Sequence, residues 1–113
     1  MRRILACVVL ALVAPALAAE TGERWTFCVA ATPEGKDVWI SEVFAATRDR
    51  ERLEGELKTY LLQHGGLSVD AQCPAPKDDK TEVVNAQFAA AEFNRKLGNI
   101  LHEVAATAFA SRR

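Results

Sequence analysis

The chain has 113 residues, half of them apolar, with 14 basic and 15 acidic side chains and a formal charge of −1. A near-neutral chain without a basic stripe lacks the electrostatic footprint that a nucleic-acid or anionic lipid partner requires. The length suits one small domain, whose own core gives only marginal stability.

The first eighteen residues have the three-part layout of a secretory signal. A cationic head, Met1-Arg2-Arg3, precedes the apolar run Ile4–Ala14, and Pro15 leads into the small-residue ending Ala16-Leu17-Ala18. Cleavage is expected after Ala18, with Ala19 as the alternative. The apolar run is too short for a good membrane span. Cys7 lies too early in it to be a lipid-attachment site, and reads as an apolar filler removed with the signal. What remains, residues 19–113, is read as one α+β domain of 95 residues. It carries 15 acidic and 12 basic side chains (14 less Arg2 and Arg3), a net charge of −3.

Two cysteines remain in the exported part, Cys28 and Cys73, and in an oxidising compartment a pair is expected to join. No Cys-x-x-Cys offers a redox site, and His64 and His102 form no zinc-like cluster with the cysteines. A closed loop of this length is worth about 4 kcal/mol on the chain-entropy model.

From Arg24 to Ala31 the residues alternate loosely, Trp25, Phe27 and Val29 against Thr26, Cys28 and Ala30, which predicts a strand. Thr32-Pro-Glu-Gly-Lys-Asp37 is turn chemistry, and Val38–Phe44 is the returning strand of a hairpin. A first helix is expected from an N-cap at Thr47, with a stripe of Leu53, Leu57, Tyr60 and Leu61, ending at Gly65-Gly66. The charged run Arg48–Arg52 reads as a solvated helix start. Residues 67–73 read as a short strand and 74–79 as a loop.

A second helix is expected after Asp79, which has Glu82 three residues on. Its apolar face is Val83, Ala86, Ala90, Phe93 and Leu97, and Gly98 ends it. A faint echo of Lys36–Ala46 in Lys80–Ala90, offset by 44, leaves open a βαββαβ reading with 81–87 as a strand. Ile100–Val104 predicts a last strand, and 105–113 a loose tail. The sum is ββα(β)αβ: a small antiparallel sheet, made of the N-terminal hairpin and the C-terminal strand, covered on one face by two helices and stapled by one disulfide.

No phosphate loop, metal cluster or cofactor fingerprint is present, so no cofactor and no metal are expected. The candidate binding residues are Trp25 and Trp39, as an aromatic surface on the hairpin, and Asn94 with Arg95 on the second helix. The leading expectation is a non-catalytic binding module of a bacterial envelope, periplasmic or secreted, with a protein or envelope component as partner. An inhibitor or immunity-type protein presenting loop 32–37 or 74–79 is the alternative. A small hydrolase using some of Asp37, Glu42, His64 and His102 is the further one.

The signal reading predicts that the exported protein lacks residues 1–18. Intact-mass and N-terminal measurement should find Ala19 first, or Glu20 if cleavage follows Ala19; a mass retaining Met1–Ala18 contradicts it.

Overall fold

The computed structural model describes residues 22–110; the segment read as a signal lies outside the described residues. The hairpin forms as expected, but in two pieces. Its inner part pairs β2 (Val29–Ala31) with β3 (Asp37–Ser41), and its outer part pairs β1 (Trp25–Thr26) with β4 (Phe44–Ala45), both antiparallel.

Val29 lies opposite Ile40 and Thr26 opposite Phe44, so residues 41–43 stand against 27–28, one residue more. Such a bulge breaks the ladder and bends the strands. The buried Ser41 side chain repairs part of the break: its Oγ accepts the Cys28 N–H at 2.9 Å and donates to the Glu42 carbonyl.

The first helix, α1 (Arg50–Gly65), buries Leu53, Leu57 and Leu61. Its N-cap is Asp49, not Thr47, because Asp49 Oδ1 accepts the Arg52 N–H at 2.8 Å. Its end is the expected glycine cap, with Gly66 at φ 65° and Leu67 N–H returning to the Leu61 carbonyl. After it, β5 (Asp70–Gln72) pairs antiparallel with β2.

The second helix, α2 (Lys80–Lys96), starts at Asp79, whose Oδ1 accepts the N–H groups of Thr81 and Glu82. Residues 81–87 are therefore helical, and the strand reading drawn from the echo falls. The last strand, β6 (Ile100–Val104), runs parallel to β3, pairing Asp37 with Ile100 and Ser41 with Val104. The larger sheet has the order β5-β2-β3-β6.

The α+β class, the element order and the Cys28–Cys73 disulfide stand as expected. Two details differ. The C-terminal strand joins in parallel, because it returns by a long crossover containing both helices instead of a tight turn. The helices also do not share one face. Leu53, Leu57 and Leu61 of α1 pack with Ala30, Ala71, Trp39 and Val104, whereas Val83, Ala90 and Ala91 of α2 pack with Val29, Ile40 and Leu101. Neighbouring strand residues point to opposite faces, so the sheet lies between the two helices.

Residues 105–110 of the expected tail are not loose. A 3₁₀ turn at Ala106–Ala108 carries Phe109 into the α1-side core, where it is 1% exposed and meets Phe44 edge-on at 5.9 Å. Glu42 Oε2 accepts the Ala106 N–H, and the Arg48 guanidinium donates to the Ala110 carbonyl.

Both cysteines are fully buried with Cα atoms 4.2 Å apart. Replacing both by serine is expected to cost about 4 kcal/mol of unfolding free energy in urea titrations. A loss under about 1 kcal/mol would show that the closed loop contributes little.

Candidate functional site

The candidate binding residues of the sequence do not converge. Trp25 packs in the α2-side core with Lys80 Nζ 4.5 Å above its ring, and Trp39 packs in the α1-side core. Trp25 shares a face with Phe27 and Val29, whereas Trp39 lies opposite Ala30 on the other face, so strand alternation separates the two tryptophans and they make no common aromatic surface. Asn94 is engaged within its own chain turn: its Nδ2 donates to the Ala90 carbonyl and its Oδ1 accepts from Asn99. Arg95 is exposed and pairs with Glu92 at 2.7 Å.

Of the groups a hydrolase would use, the parallel β3–β6 pairing brings two together. Trp39 lies opposite His102 in register, and their rings stack at 4.8 Å. His102 Nε2 donates to Asp37 Oδ1 at 2.8 Å. A carboxylate only accepts, so this bond fixes the proton on Nε2 and leaves Nδ1 as the lone-pair nitrogen of the neutral ring. Glu42 and His64 are occupied elsewhere. Glu42 holds Ala106, and His64 stacks on Tyr60 at 4.4 Å with its Nδ1 against the Tyr60 carbonyl. Ser41 is buried behind the Cys28 N–H. Among the described residues no group of three His, Cys, Asp or Glu side chains stands ready for a metal.

Two surfaces went unnoticed in the sequence. The first is an open groove of about 550 Å³ along α1. Arg52, Glu56, Thr59, Gln63 and His64 line its helix side, and Ala108 with Phe109 its other side. Arg52 and the half-buried Arg48 both approach Glu56 Oε2 at 3.5 Å, while Glu56 Oε1 has no hydrogen-bond partner. Gly55 lies on the same lining, and a Cβ placed there meets nothing within 4 Å. The helical spacing 52, 55, 56, 59, 63 was present in the sequence. Its partner wall was not, because residues 105–110 read as a tail.

The second surface is on and beside α2. The expected apolar stripe is turned partly outward. Val83, Ala90 and Ala91 face the sheet together with Gln87, whose Nε2 donates to the Ser41 carbonyl at 3.0 Å. Phe88, Phe93 and Leu97 are left 61%, 62% and 60% exposed, and Ile100 on the neighbouring strand is 55% exposed. No helix among the described residues is long and apolar enough to cross a membrane.

Compared with known proteins, the chain matches no family model, and no curated protein or solved structure is significantly similar to it.

Gly55→Ala is expected to raise stability by about 0.5–1 kcal/mol, the helix-propensity difference, since the added methyl meets no neighbour. Thermal or urea unfolding measures it, and a destabilised variant would mean that the position is closed in solution.

Proposed function

We propose that the chain is an exported, non-catalytic binding module that docks a protein of the cell envelope through the apolar side of α2. The observation that carries this reading is the exposure of Phe93 and Leu97, one helical turn apart, with Ile100 three residues further on. Large apolar side chains grouped on a surface mark interaction sites, because leaving them in water has a steady cost that only a partner removes. Fully burying a Phe or Leu side chain contributes about 1.5–3 kcal/mol. Phe88 and Val84, also one turn apart, extend the apolar character to the other flank of the same helix.

Two features together support an exported compartment. The N-terminal layout is that of an export signal, and the disulfide is a bond that persists where thiols are oxidised. Among the described residues the Asp37–His102 pair is the arrangement that suits acid–base work, but its ring stacks on Trp39 and its elements are the paired strands β3 and β6. We assign it to holding that pairing. A half-exposed hydrogen-bonded pair of this kind is worth about 1 kcal/mol or less.

The experiment is affinity capture from an envelope extract with the oxidised protein, run beside a Phe93→Glu/Leu97→Glu variant of unchanged melting temperature. The expected result is a protein retained by the parent and lost by the variant, each side chain accounting for at least about tenfold in Kd. Retention of nothing above background, or equal retention by the variant, overturns the proposal.

A further inference from the structure

The groove along α1 is a separate feature, on the opposite side of the sheet from α2. From Arg52 to His64 it follows the helix for about 18 Å. Its lining charges cancel. Arg52 and Glu56 already face one another at 3.5 Å, so an anion would meet the carboxylate and a cation the guanidinium. The ligand that suits such a surface is neutral.

Its other groups give hydrogen bonds in planes and pairs. Arg52, Glu56, Gln63 and His64 are planar donors or acceptors, and Thr59 and Tyr60 add hydroxyls. The backbone of the helix interior is saturated by its own bonds, so an extended peptide finds no ladder to join here. A molecule whose own polar groups are adjacent hydroxyls matches side chains of this type, and its C–H faces match the apolar wall at Ala108 and the stacked Tyr60–His64 rings.

Gly55 supports the same conclusion independently. A glycine inside a helix is costly, and this one is excused neither by a positive φ nor by a close neighbour. What it does provide is the floor of the groove, lowered by the missing side chain.

We propose that the α1 groove is a binding site for a neutral, hydroxyl-rich oligosaccharide. It is held by Arg52, Glu56, Gln63 and His64 over the floor at Gly55.

The test is titration calorimetry of the oxidised chain with chitotetraose, cellotetraose and maltotetraose, beside an acidic and a basic hexapeptide at equal concentration. At least one of the neutral tetrasaccharides is expected to saturate the protein, and neither peptide. Gly55→Phe, which fills the floor, should weaken that binding at least about tenfold, and Gln63→Ala should weaken it less. Phe93→Glu/Leu97→Glu should leave it unchanged, which keeps this result independent of any partner docked on α2. The proposal is overturned if no tetrasaccharide saturates at millimolar concentration, if a charged peptide binds better, or if folded Gly55→Phe and Gln63→Ala proteins both bind like the parent.

Discussion

The Cys28–Cys73 bond is the point at which three parts of the molecule are fastened to one another. Cys28 sits in the bulge of the hairpin, where its N–H goes to the Ser41 side chain. Cys73 follows β5, and α1 grips its backbone from both sides: the Glu54 carboxylate accepts its N–H at 2.9 Å and Arg50 Nε donates to its carbonyl at 2.8 Å. Four residues apart, Arg50 and Glu54 lie one turn from each other on α1. The sulfur bridge therefore joins the irregular part of the hairpin to a strand end that the helix has already oriented. Buried backbone groups without partners are costly, and here charged side chains meet that need where the strand ladder stops.

Around this staple the sheet is covered twice. Val38, Trp39 and Ile40 are a continuous apolar run, as a strand with a helix on each face requires, and not the apolar–polar alternation of a half-wet strand. The α1 side is the fuller of the two, with three leucines, both cysteines and Phe109. The α2 side is thinner, and its helix presents alanines and Gln87 to the sheet. That difference is why α2 leaves Val84, Phe88, Phe93 and Leu97 on its outer flanks, where α1 leaves Leu62.

The hairpin, the α1 leucine stripe, the glycine cap and the Asp79 start were legible because each rests on local chemistry. The rest depended on contacts between distant residues. Val83, Ala90, Phe93 and Leu97 are a correct helical face by spacing, but the core selected a face turned towards Gln87 and Ala91, which no periodicity could rank. Arg48 and Arg50 looked like solvated charges; both reach backbone carbonyls, at Ala110 and Cys73. Phe109 was the one large apolar residue in a stretch of alanines, and that was the signal of a buried anchor. The run Val38–Ile40 likewise signalled burial on both faces, and the expectation of a one-sided sheet passed over it. The groove was hidden for a related reason: one wall is a helix surface, the other a segment that follows the last strand.

Everything on the α1 side except β6 and Phe109's segment lies within the interval that the sulfurs close: β2, β3, α1 and β5 all fall between residues 28 and 73. The chain from 74 onward supplies α2, the parallel strand beside β3 and the final aromatic plug. Synthesis from the N-terminus thus delivers a cross-linkable half before the segment that completes it. The two halves differ in kind: one is a covalently bounded nucleus, the other a flap whose hold on it is entirely non-covalent. Fluctuations that open the protein without breaking a covalent bond are accordingly directed to the flap, peeling β6 and α2 from a remainder that stays knotted to itself by sulfur.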